Sequence, residues 1–157
     1  MNTFGCAVLS AALTALASMG MASGAAAGPV CPTVEVAKVV AADAGGARLF
    51  PGPQGQGVSV AASPIVTVHD VAKADISYAE GVWGLGLTLR PQAAERIRAY
   101  TAAHVGESLA FVVEGRAKMV ARVLDPIGGD GIWISPYDKA QAQALAAGIN
   151  ACVTPGA

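Results

Sequence analysis

A chain of 157 residues is long enough for one domain with a proper core. Ten Lys and Arg against eleven Asp and Glu leave a formal net charge of −1, so the basic stripe of a nucleic-acid-binding protein is absent. Two histidines and three cysteines, widely scattered, exclude a clustered zinc site, and no cofactor motif is present.

The N-terminal residues stand apart. Between Met1 and Val34 there is no charged side chain, Cys6 to Leu16 is a short apolar run, and Ala25-Ala26-Ala27 fits the small-residue pattern of a cleavage site. Residues 1–27 therefore read as a signal peptide, although Met1 to Gly5 carries only the α-amino charge. The chain is expected to be exported, to the periplasm or the extracellular space, with no integral span left after cleavage. The alternative is a membrane anchor formed by the same segment uncleaved, since a span needs about 20 residues. Cleavage removes Cys6 and leaves Cys31 and Cys152, one near each end. In an oxidising compartment an isolated pair of this kind reads as a disulfide.

Residues 28–64 are expected to hold N-terminal strands and a Gly/Pro-rich loop. Val34 to Val40 alternates as a strand; Ala41 to Gly57 is an exposed loop with Phe50 as its anchor; Val58-Ser59-Val60 is a short second strand. The main domain spans 65–150, with 151–157 as a tail. Ile65 to Val68 is extended, and His69 to Ala74 forms a single helical turn in which Val71 and Ala74 share a face at spacing three. Val82 to Leu89 is the clearest strand: Trp83, Leu85, Leu87 and Leu89 lie on one face, with Gly84 and Gly86 opposite, where a helix packs closely or the surface lies open.

Pro91 opens a helix whose apolar stripe is Ala94, Ile97, Thr101 and Val105, with Gly106 as its stop. Leu109 to Val113 and Lys118 to Val123 form a hairpin around Glu114-Gly115. A turn through Gly128-Gly129 leads to a strand at Ile132 to Ile134. Ser135 then caps a last helix with Pro136 at its first position, an inner face of Tyr137, Ala140, Ala144 and Leu145, and an end at Gly148. The order predicts an α+β fold, a mostly antiparallel sheet with two helices on one face.

The ordered set of Asp70-Val71 with Ala74, Leu85 to Leu89 followed by Pro91, Thr101 with Gly106, Leu109-Ala110 through Glu114-Gly115, Ile127-Gly128-Gly129, and Ala140 with Leu145 and Ala146 resembles the head subdomain of the first periplasmic domain of the SecD/SecDF protein-translocase family. The resemblance covers about Ile65 to Ile149 and implies a ferredoxin-like-related sandwich. It departs from the family pattern at Arg90, where a Ser or Thr cap is expected, at Lys118 to Ala121, and at Ser135. It also implies a role in handling translocating polypeptide. The chain would then be a free-standing exported module without the membrane machinery, a non-enzymatic binder of a polypeptide or protein partner. Met119, Trp133 and Tyr137, with the exposed face of Lys118 to Val123, are the candidate contact residues, through edge-strand pairing or an apolar groove. An envelope protein docking a folded partner is the alternative reading. A small hydrolase built on Ser108 and His104 is a third, weakened by the absence of a nucleophile elbow and an orienting acid.

Overall fold

Residues 30–153 are described by a computed structural model; the predicted signal peptide 1–27, with Cys6, and residues 154–157 of the predicted tail lie outside them. In chain order the elements are β1 (Val34–Lys38), β2 (Arg48–Pro51), β3 (Gly57–Val60), β4 (Val66–Thr67), a 3-10 turn at Val68–Asp70, β5 (Val71–Ala79), β6 (Val82–Leu89), α1 (Pro91–Ala103), β7 (Ser108–Val113), β8 (Arg116–Arg122), β9 (Gly131–Tyr137) and α2 (Lys139–Val153). The strands form a four-stranded sheet in the order β4-β1-β7-β8, a three-stranded sheet β5-β6-β9 and a two-stranded hairpin β2-β3. Every ladder is antiparallel. The α+β prediction therefore holds, with the sheet divided.

Period-two alternation puts one face of β6 in the core: Leu85, Leu87 and Leu89 are buried beneath α2, which contributes Ala142, Ala146, Ile149 and Val153. The same core takes Val34 and Val36 from β1, Leu109, Phe111 and Val113 from β7, and Ala93 and Ile97 from α1. A satellite core forms on the other side of the four-stranded sheet. There Ala37, Ala110, Val112 and Ala117 meet Val60, with Val39, Val58 and Phe50 packed against them. Phe50 does anchor its segment, but that segment is not all loop: Arg48–Pro51 pairs with Gly57–Val60 as a hairpin.

Three further expectations fail, and two share a cause. His69 to Ala74 is not a helical turn; only Val68–Asp70 is helical and β5 starts at Val71. Val71 opposes Leu89 and Lys73 opposes Thr88, so two steps on β5 match one on β6. This bulge lets Val71 and Ala74, three apart, both face inward. Likewise Ser135 and Pro136 do not start a helix. Trp83 opposes Tyr137 while Leu85 opposes Ile134, so three steps on β9 match two on β6, and Tyr137 turns inward from the strand. The cap of α2 is Asp138, whose carboxylate accepts the Gln141 N–H at 2.8 Å. Among the predicted inner-face residues, Ala140 and Ala144 are exposed and Leu145 half-buried.

The third failure is at helix ends. Gly148 does not terminate α2; it sits within it, where a Cβ would come 2.8 Å from the Pro32 ring. α1 stops at Ala103, so Val105 leaves the stripe and is exposed, and the buried positions are Ala93, Ile97 and Thr101. Gly106, at φ +92°, makes the turn after the helix that an L-residue resists.

The ends of the domain are tied together. Cys31 and Cys152 form a disulfide with Cα atoms 5.7 Å apart, bridging the segment just before β1 to the last turn of α2. Nearby, Asn150 of α2 accepts the Ala74 N–H at 2.8 Å and donates to the Ala74 carbonyl at 2.7 Å. Its amide thus occupies backbone positions on β5, the outer strand of its sheet, as a neighbouring strand would.

Candidate polypeptide-binding site

The turn Glu114-Gly115, with φ of 51° and 69°, has the positive angles of a two-residue hairpin turn and returns the chain as β8. β8 is a sheet edge, and it is not a clean template for another strand. Phe111 opposes Met119 but Val112 opposes Ala117, so Lys118 is an extra residue that interrupts the ladder. Arg116, Lys118 and Arg122 add charge along the edge. Bulges and basic side chains are the features that keep edges from pairing indiscriminately.

Beside that edge lies an open cleft of about 440 Å³ between the β2-β3 hairpin and β8. Val39, Val40, Val58 and Val120 line it, together with the amides of Gln54 and Gln56. Val120 is 41% exposed, an apolar side chain on an outer strand facing this space.

The candidate contact residues do not converge. Met119 faces inward opposite Phe111 and packs on the main core. Trp133 lies on the outer surface of β9, its indole seated over Gly84, where any Cβ would collide with the ring. The small face of β6 is thus covered by a neighbouring side chain and not by a helix. Tyr137 is 7% exposed and lies in the seam between β8, β9 and α2, with the Lys118 ammonium 4.5 Å from its ring centre. Burial, with the Glu114 charge adding to it, pushes its phenol up to about 12.

Cross-strand pairing also assembles a row that sequence reading missed. Tyr78 opposes Trp83, and Trp83 opposes Tyr137, so three aromatics run across β5, β6 and β9. The Tyr78 and Trp83 ring centres are 5.1 Å apart, and Lys139 lies 5.1 Å above Trp83. Tyr78 is 61% exposed at the open end of the row. The period-two pattern of β6 placed Trp83 correctly, but only strand register brings in its two partners.

His104, one of the two residues of the hydrolase reading, is engaged by its own helix. The His104 ring stacks on Tyr100 at 4.0 Å between centres, and its Nδ1 lies 2.7 Å from the Tyr100 carbonyl. Glu107 bonds Lys38 at 3.0 Å, and this partner holds its carboxyl below the usual range. Among the described residues, no three His, Cys, Asp or Glu side chains gather to hold a metal ion, and no helix is long and apolar enough to cross a membrane.

The family described as SecDF, P1 head subdomain, matches residues 46–154. The chain belongs to this family. Solved SecDF structures share the head subdomain's fold. One, of SecDF as a membrane component that enhances protein export, aligns at TM-score 0.62 and 19% identity over 78% of this chain and 64% of that one. A second, of SecDF in a super-membrane-facing form, aligns at TM-score 0.61 and 19% identity over 76% of this chain and 19% of that one. The chain thus spans less than two thirds of the first and about a fifth of the second. No curated protein matches it in sequence.

Proposed function

We propose that this head subdomain is a non-enzymatic, extracytoplasmic module that binds unfolded or translocating polypeptide in the cleft beside β8. The observation that carries the reading is the apolar lining formed by exposed Val120 and half-buried Val39 and Val58 next to a sheet edge. An apolar lining takes side chains of an extended chain, and the nearby Gln54 and Gln56 amides suit the hydrogen-bonding needs of its backbone. The bulge and charges of β8 favour this groove over strand addition. Membership of the SecDF head family supports a place in protein export, because the SecDF of the first structure enhances export. The Cys31–Cys152 bridge is in keeping with an exported protein.

Titration with a reduced, carboxymethylated model polypeptide tests the reading by fluorescence anisotropy. Saturable binding is expected, weakened about tenfold or more by Val120→Asp, which sets a charge against apolar contacts. Absence of saturation at high micromolar concentration, or an unaltered affinity in Val120→Asp, would overturn it. Pull-down of one stoichiometric folded partner in place of a mixture of precursors would favour the docking alternative.

A further inference from the structure

The face of the β5-β6-β9 sheet turned away from α2 carries an open cavity of about 250 Å³, which shares no lining residue with the Val120 cleft. Strand register builds it. Asp75 opposes Gly86 and Gly86 opposes Trp133, so a carboxylate and an indole flank a glycine. Two interstrand steps set their Cα atoms about 9–10 Å apart. The indole leans over Gly84 and leaves the floor at Gly86 to Asp75, whose Oδ1 takes the space a Cβ would need there. Thr88, two residues on from Gly86, adds a hydroxyl to the lining.

The charge of the lining specifies the ligand. Among the described residues it holds one ionic side chain, Asp75, and no cation. The Asp75 side chain is 52% exposed, so a ligand can reach it, and its carboxylate accepts no hydrogen bond among the described residues. Its ion pair with Lys73 is long, at 3.6 Å, and joins two exposed side chains. Such a pair is worth little and exchanges readily for a better one. An accessible carboxylate beside an aromatic wall, over a floor without side chains, suits a flat cation. A guanidinium meets each requirement. Its plane fits over the glycine, its fork donates to both carboxylate oxygens, and its apolar stem packs on the indole.

We propose that this cavity binds an arginine side chain of a polypeptide, with Asp75 as the acceptor and Trp133 as the wall against the stem. The polypeptide source rests on the reading above; the affinity for a guanidinium group does not.

The test is an amide-resonance titration of the full chain with N-acetyl-arginine amide against its neutral isostere, N-acetyl-citrulline amide, at constant ionic strength. Saturable shifts at Asp75, Gly86 and Trp133 are expected from the arginine compound and not from the citrulline one. N-acetyl-lysine amide, a point charge without the fork, should bind more weakly. Asp75→Asn should weaken binding about tenfold or more, as for a hydrogen bond to a charged group. Gly86→Ala should weaken it too, because the new Cβ pushes the carboxylate off the floor. Lys73→Ala removes a competing cation and should strengthen binding about two- to fivefold. No saturation, equal shifts from citrulline, tighter binding of lysine, unchanged affinity in Asp75→Asn, or weaker binding in Lys73→Ala overturns the proposal. So does a saturable response to methyl glucoside in place of the arginine compound, which would assign the cavity to a neutral sugar. Val120→Asp should leave the arginine half-saturation unchanged, so failure of the cleft and failure of the cavity are read separately.

Discussion

Thr101→Val is the substitution whose consequence follows most directly from the structure. Thr101 is fully buried, the one polar residue of that class among the described residues. Its hydroxyl donates to the Ile97 carbonyl at 2.8 Å within α1 and accepts the Ile127 N–H at 2.9 Å. The first bond is supplementary, because a helical carbonyl at that position already has an i+4 partner. The second fastens the 124–127 loop to the helix through a buried side chain. Valine matches the shape but cannot accept, so the Ile127 amide loses its partner, at a cost of about 1–3 kcal/mol. The added methyl recovers part of this, and also sits where an N–H approached to hydrogen-bond distance, so the loop must retreat. A net loss of about 2 kcal/mol is expected, or roughly 6–10 °C in melting temperature for a domain of this size. Urea and thermal unfolding by circular dichroism measure the loss, and hydrogen exchange should show lost protection at Ile127. Thr101→Ser keeps the hydroxyl and should retain that protection while losing about 1 kcal/mol of packing. Wild-type stability in Thr101→Val, with the Ile127 amide still protected, would refute the reasoning.

Gly148→Ala should destabilise despite alanine's helix-propensity advantage of about 1 kcal/mol, because the new Cβ meets the Pro32 ring at 2.8 Å and that ring is held by the adjacent disulfide; a higher melting temperature would contradict this. Replacing Cys31 and Cys152 together by Ser should cost up to about 5 kcal/mol by loop entropy, given a sequence separation of 121; an unchanged denaturation midpoint would show the bridge to be idle. Asn150→Ala should cost about 1–3 kcal/mol, since both Ala74 backbone groups lose their side-chain partner; the loss should appear as faster exchange at the Ala74 amide. Burial acts to raise the Asp70 carboxyl, but hydrogen bonds from Arg96 and from the Thr67 backbone and hydroxyl outweigh it and hold it below its ordinary value. Because the folded value is the lower one, this stabilisation is complete above about pH 4 and is lost as pH falls through the folded value. Asp70→Asn should flatten the acid limb of the stability curve, and an unaltered limb would remove Asp70 as its cause.

Local chemistry determined much of this protein from sequence alone. Strict alternation marked β6 and its buried leucines, Pro91 marked the start of α1, and Glu114-Gly115 marked the β7-β8 turn, because each signal is complete within a few residues. The ordered set of such signals was enough to name the family, and two cysteines at opposite ends were enough to name the bridge. Tertiary structure decided the rest. Apolar residues three apart, Val71 with Ala74 and Ile134 with Tyr137, are compatible with a helix or with a bulged strand, and only the partner strand β6 selects the bulge. A bulge is a mismatch between two strands, so neither sequence carries it alone. The candidate site follows the same rule. Tyr137 was visible as a residue, but the seam it shares with Lys118, the aromatic row it ends and the Val120 cleft all arise where strands distant in sequence are brought side by side.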